Sequence, residues 1–277
     1  MGKTVLVSSL RWGTILVLLV LLFFPIYTLL RTSFAQRGDL YARPFQWIPE
    51  NIIFDHFVEV LRPGHIVPIF DSMANSFVVS LGTAVLSVLI GSLAAYALAR
   101  LQFAGRNALL TTIFAVYILP GMLFLIPIFG LFKQLRLLDN PVSLIITYTA
   151  FVMPFIVIIM RSYFVSIPST LEEASRIDGC NHLQTFTRII LPLSGPGLVA
   201  GFVSAFILAW NEFLAPLVLT SRYKVITTTL GQYSSTQDIE LGQMAAAGIY
   251  SLLPVVVIAL VLNRYIRRGI VEGAVKG

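Results

Sequence analysis

The chain has 277 residues, of which 57% are hydrophobic and only 12% charged, with a net charge of +6 and a mean hydropathy of +0.87. Ordinary soluble domains carry about 25% charged and about 45–50% apolar residues. An apolar excess of this size, arranged in long blocks, makes a bilayer the natural solvent and leaves no room for a second, soluble domain of normal size. The basic residues stand in ones and twos at the ends of apolar blocks, as membrane flanks do, and form no stripe that would hold nucleic acid. The single cysteine, Cys180, excludes an intrachain disulfide framework.

Blocks of about 20 apolar residues read as membrane spans. Six occur in chain order: Leu10–Leu30, Asn75–Leu98, Leu109–Phe132, Val142–Met160, Gly197–Thr220 and Gly242–Leu262. The expected fold class is therefore all-α and polytopic, with lipid as the surrounding partner. The first run contains Pro25, is followed by Arg31 and shows no small-x-small cleavage site, so it reads as a retained span rather than a signal peptide. An even number of spans puts both termini on one side. That side holds eleven Lys and Arg against eight on the other, which predicts cytoplasmic termini. The organisation expected is a first span with a long external loop (1–71), a five-span core (72–264) and a cytoplasmic tail (265–277).

The external loop, roughly Arg31 to Ala74, contains PFQWIPENIIFDHFVEVL. Asp55 is placed to cap a short amphipathic helix with Phe57, Val58 and Leu61 on one face. Tyr41, Phe45 and Trp47 suit the headgroup level. Gly121, Pro127, Pro154, Gly201, Pro216 and Pro254 fall within the spans and imply a packed bundle, in which neighbouring helices satisfy the backbone groups freed at kinks.

Most of the usual signatures of chemistry are missing. No GxxxxGK[ST] phosphate cradle occurs, so ATP hydrolysis is not expected of this chain. HExxH, GxSxG and metal-spaced Cys/His clusters are also missing, and His56, His65 and His182 lie outside the spans. Carriers driven by ion gradients hold ionisable residues in the bilayer for the coupling ion. Here Glu212, with Asn211 beside it in AWNEFLAPL, is the clear exception. One reading makes Asn211 and Glu212 line or gate a translocation pathway; the other pairs them structurally near the external end of span five.

Between spans four and five runs LEEASRIDGCNHLQTFTRIILP, Leu171 to Pro192. Ser169 and Glu172 have the spacing of a capping box, and Glu172 and Glu173 sit where the positive end of a helix dipole favours acids. Gly179 suits a left-handed C-terminal cap. Asn181 then opens a second helix with Leu183, Phe186, Ile189 and Ile190 as its apolar stripe, and Leu191-Pro192 ends it. Leu171, Ala174, Ser175 and Asp178 share one face of the first helix, narrow and small in the middle, a shape that fits a groove on another protein. A DNA-binding helix–turn–helix would not carry net negative charge. An interfacial helix would carry more Lys and Arg, and a plain solvated loop would need neither caps nor a glycine corner.

Glu173-Ala174-Ser175, three residues, Gly179, nine residues, Ile189, one residue, Leu191-Pro192 resembles the EAA loop of ABC-importer permeases. Two positions depart from that pattern: Ser175 replaces an alanine, and Cys180 stands where alanine is common. AYALARLQFAGR, AWNEFLAPL and the ending GAVKG are similar to the carbohydrate-uptake branch, in permeases of the maltose and glycerol-phosphate type. The resemblance implies a type I importer permease fold in the prokaryotic inner membrane, with an EAA loop at 168–192. It implies a second homologous permease, a dimer of cytoplasmic ATPases that bind Mg-ATP, an external sugar-binding protein and a sugar substrate, with no cofactor bound by this chain. Glu172, Glu173, Ala174, Ser175, Asp178 and Gly179 would form the ATPase contact. The loops at Trp47–Arg62 and Arg222–Gly242 would meet the binding protein. An ion-gradient-coupled carrier is the alternative function.

Overall fold

Helices follow the apolar blocks because a backbone in lipid has to satisfy its own amides and carbonyls. The computed structural model describes residues 2–40, 42–62, 69–233 and 241–274, with side chains between Arg11 and Leu262. Residues 234–240 of the expected Arg222–Gly242 contact, and the last three residues of GAVKG, lie outside the described residues. Among the described residues, four helices are long and apolar enough to cross a membrane, and two bent pairs bring the number to six if each pair is one span. The described residues form two units, Met1–Phe70 with Thr229–Leu253, and Asp71–Thr228 with Pro254–Gly277.

In the first unit, α1 (Gly2–Phe34) is followed by α2 (Arg37–Leu40) and α3 (Asp55–Val60). Side chains from Leu16 to Phe24 are exposed along α1, as lipid contact requires. The loop after it is folded on specific bonds. Arg31 is buried, donates from Nε to the Gln46 carbonyl (2.9 Å) and from Nη2 to the Asp39 carbonyl (3.0 Å), and lies 4.5 Å from the Phe45 ring centroid. The short helix exists where expected, but its orientation differs. Asp55 is its first residue and makes no cap; the buried residues are His56 and Val60, whereas Val58 and Leu61 face outward. His56 Nε2 sits 3.1 Å from the Ala35 carbonyl and occupies the space that a Cβ on Gly242 would need.

The second unit begins on α4 (Ile69–Arg100) and α5 (Arg106–Ile118). The expected third span is broken: α5 ends at Leu119, whose ψ of 134° is extended, a 3-10 turn covers Gly121–Phe124, and α6 (Leu125–Gln134) leaves at 94°. Pro120 causes the break, because it disfavours helical geometry at Leu119. Next, α7 (Pro141–Ser166) starts at Asn140, whose side chain accepts from the Val142 amide. The charged loop forms α8 (Thr170–Ile177), α9 (His182–Thr185), a π segment Phe186–Ile190 and α10 (Leu191–Leu193). After an 80° bend the chain continues as α11 (Gly195–Trp210), breaks at Asn211–Phe213 and resumes as α12 (Leu214–Leu219). The expected span Gly197–Thr220 is thus also two pieces, and the turn away from the loop falls at Ser194–Gly195 rather than at Pro192. The last helices, α13 (Ile226–Tyr233) and α14 (Leu241–Ala274), complete the chain.

Close approach organises the second unit. Gly197 of α11 is packed so tightly on α7 that an added Cβ would lie 2.6 Å from the Tyr163 ring. At the end of α7 opposite the charged loop, Leu144 and Tyr148 pack with Val79, Leu125, Phe132, Ala209, Ala215 and Leu219. Asp139 ties the loop before α7 to the one after α12. Its Oδ1 accepts the backbone amides of Ser221, Arg222 and Tyr223 at 2.8–2.9 Å, and Oδ2 accepts the Ser221 hydroxyl.

Candidate functional site

The charged loop is built around its glycine. Gly179 has φ +83°, the left-handed geometry expected of a helix C-terminal cap, with open space around its Cα. Asn181 then caps α9 as expected, and the bond is reciprocal: its Oδ1 accepts from the Gln184 amide while Gln184 Oε1 accepts from the Asn181 amide, both 2.9 Å. The capping box is thus Asn181 and Gln184, an N-x-x-Q spacing, rather than Ser169 and Glu172.

At Ser169 the expectation fails. Ser169 makes no side-chain cap and already has helical φ and ψ. Glu172 instead turns into the protein, 6% exposed, with Oε1 2.8 Å from Arg100 Nε. The contact is an ion pair rather than an aligned hydrogen bond, and both side chains are largely shielded from water. Arg100, the last residue of α4, also donates through Nη2 to the carbonyl of Phe164 (2.7 Å) and to that of Ile167. Those carbonyls end α7, where a helix leaves acceptors without partners. Arg161 of α7 returns the arrangement, donating to the Leu98 carbonyl of α4, which Arg106 Nε also reaches (2.9 Å).

Ser175 likewise faces inward, 2% exposed. Its hydroxyl donates to the Glu172 carbonyl (2.7 Å) and lies 2.8 Å from Thr185 Oγ1, joining α8 to α9. Behind α9, Phe186 packs against Tyr96 of α4 and Phe164 of α7, with ring centroids 4.9 and 6.1 Å away. These rings and the Arg100 contacts anchor the loop to α4 and α7. Of the residues expected to meet a partner, Glu173, Ala174, Asp178 and Gly179 are exposed, whereas Glu172 and Ser175 are buried within the chain. Leu171 and Ile177, the latter 87% exposed, add an apolar component to the exposed surface.

The second expected location lies elsewhere in the fold. Asn211 turns back on its own helix, its Nδ2 donating to the Ile207 carbonyl (2.8 Å). Glu212 Oε1 accepts from the amides of Leu214 and Ala215 (3.0 and 3.1 Å), so the carboxylate caps α12. Glu212 also borders a cavity of about 610 Å³ whose wall is otherwise apolar, including Tyr117, Phe124, Phe151 and Pro154. Both readings of this residue therefore find a geometric counterpart.

Broken spans, close glycine packing and a helix pair presented at the ends of two spans define a polytopic membrane protein with an anchored loop. The description "binding-protein-dependent transport system inner membrane component" belongs to a family model that matches residues 87–272, and this chain belongs to that family. It is 36% identical to the inner membrane ABC transporter permease protein YcjP of Escherichia coli over 94% of this chain and 93% of that one. It is 31% identical to the diacetylchitobiose uptake system permease protein DasC of Streptomyces coelicolor, over 95% of each. Its fold is similar to a chain of a bacterial ABC transporter involved in the import of the acidic polysaccharide alginate. That match has a TM-score of 0.78 and 25% identity, covering 96% of this chain and 98% of that one. The chain is an inner-membrane permease of the ABC transporter class.

Proposed function

We propose that this permease imports a sugar, and that α8 is where a cytoplasmic ATPase dimer drives it. The observation that carries the reading is the two-sided character of α8. Glu172 and Ser175 fasten one side to the membrane helices, while Leu171, Glu173, Ala174, Ile177 and Asp178 stand free on the other. A helix exposing Ile177 and Leu171 beside two acids fits an apolar groove with a basic rim. The partner ATPases would hold Mg-ATP, this chain would hold none, and both termini would lie with α8 in the cytoplasm. A second, homologous permease would complete the pathway, and an external binding protein would deliver the sugar. The sugar class rests on relatives and a structural neighbour named for diacetylchitobiose and alginate import.

The deciding experiment reconstitutes the permease pair, ATPase dimer and binding protein in liposomes and measures ATP hydrolysis with a panel of oligosaccharides. One saccharide should stimulate hydrolysis and accumulate inside. Uptake by the chain alone, driven by a proton or sodium gradient, would overturn the reading in favour of an ion-coupled carrier. Glu212 gives that alternative little support, because one carboxylate oxygen already accepts two backbone amides.

A further inference from the structure

We propose that Arg100 is a positioning residue that makes α8, α4 and α7 move as one body, with Glu172 as its handle on α8. The proposal rests on the docking reading of α8 and names how force leaves that helix. Covalently, α8 is joined to α7 only through Ile167–Ser169 and to α11 through the corner and the π segment. A push on α8 along that route alone would be absorbed by rotation about a few backbone bonds. Arg100 closes a second route. Its Nε pairs with Glu172 Oε1 on α8 at 2.8 Å, and its Nη2 donates to the Phe164 and Ile167 carbonyls at the end of α7. One guanidinium thus ties the neighbouring elements α7 and α8 to the end of α4, more than 60 residues earlier in the chain.

The burial of the pair gives the contact its stiffness. With side-chain exposures of 13% and 7%, little water is available to replace either partner, so separation would leave a shielded charge without compensation. Arginine suits this position because its planar fork offers several donors in fixed directions; lysine would offer one mobile charge. The Tyr96, Phe164 and Phe186 rings hold α9 against the same two helix ends but carry no directional bond to α8. The Arg100–Glu172 pair accordingly transmits displacement, and the ring cluster supplies its fulcrum.

The test uses the complete transporter, wild type and Glu172→Gln, with Mg-ATP plus vanadate as the probe that closes the ATPases. Amide exchange is followed in α8 and at the ends of α4 and α7, together with uptake per ATP hydrolysed. In the wild type all three segments should change protection together. In Glu172→Gln, α8 should still respond, while the response at the α4 and α7 ends and the uptake per ATP fall by about fivefold or more. Glu172→Asp, which keeps the charge, should recover most of both, a recovery that a purely steric role would not produce. An equal response in all segments of Glu172→Gln would overturn the proposal, as would loss of that variant from the membrane with Glu172→Asp no better. No α8 response in the wild type would overturn the docking reading itself, and this proposal with it.

Discussion

Ser175 Oγ lies 2.8 Å from Thr185 Oγ1, so a hydroxyl pair bridges the two loop helices across the Gly179 corner. With the Ser175 proton on the Glu172 carbonyl, Thr185 supplies the proton between the hydroxyls. Ser175 is thereby part of the corner rather than of the exposed face. Ser175→Ala should leave Thr185 without its partner and loosen the corner by about 1 kcal/mol. Amide exchange at 174–186 should accelerate, while copurification with the ATPase stays unchanged. Loss of copurification would place Ser175 in the contact itself.

Gly179 makes a separable prediction, because its φ is +83° but nothing stands within 4 Å of where a Cβ would be. Backbone conformation, not side-chain size, should decide which substitutions are accepted. Asn, which tolerates the left-handed region, should keep most coupled uptake, whereas the β-branched Val should lose it, at a strain of about 1–2 kcal/mol or more. Uptake by both variants at matched membrane abundance checks the order.

Gly197 presents the opposite case. An added Cβ would meet three Tyr163 ring carbons between 2.6 and 2.9 Å, whereas Gly195, two residues earlier, has open space. Gly197→Ala should destabilise the chain by about 1–3 kcal/mol, and Gly195→Ala should come within about 0.5 kcal/mol of wild type. Thermal unfolding in detergent should separate the two, and Tyr163→Ala should partly rescue the first.

Glu212 can be assigned by an isosteric change. Gln keeps an oxygen for the Leu214 and Ala215 amides, so Glu212→Gln should retain α12 and sugar-stimulated ATP hydrolysis. Glu212→Ala should lose about 0.5–2 kcal/mol of capping. A large loss of transport in Glu212→Gln with unchanged thermal stability would show that the charge acts in the pathway.

Asp139 sets a pH dependence. The amides of Tyr223, Ser221 and Arg222, with the Ser221 hydroxyl, hold its carboxyl below the ordinary 3.8 against a smaller opposing effect of burial. A carboxyl whose folded pKa is depressed contributes stability that is fully present above the unfolded value. That contribution is lost as the pH falls from near 3.8 through the lower folded value. Protection of the 221–223 amides, taken relative to their intrinsic exchange rate, should therefore fall below about pH 4. In Asp139→Ala, which leaves these amides without an acceptor, their protection should already be low at neutral pH, with little further change on acidification.

Short-range features were legible in the sequence, and long-range ones were not. The Gly179 corner and the Asn181 cap depend on residues within a few positions, where steric limits on φ and the reach of one side chain leave few choices. The break at Pro120 was also written locally, yet the uncharged, mostly apolar run from Leu109 to Phe132 masks it; hydropathy measures transfer to lipid and is blind to direction. Glu172 shows the other limit. Its spacing points to Ser169 alone, whereas the partner it finds, Arg100, reaches it only through the fold.

By itself, the sequence determined that this chain lives in a bilayer, that it is helical, and that a glycine-cornered helix pair interrupts its apolar blocks. Those outcomes follow from transfer free energy, backbone hydrogen bonding and local sterics, each a function of neighbouring residues. Only the tertiary structure decided that Glu172 and Ser175 face inward, and that Asp139 holds a loop more than 80 residues away. Each depends on which helix ends are brought together, and close packing of α4, α7 and α11 settles that.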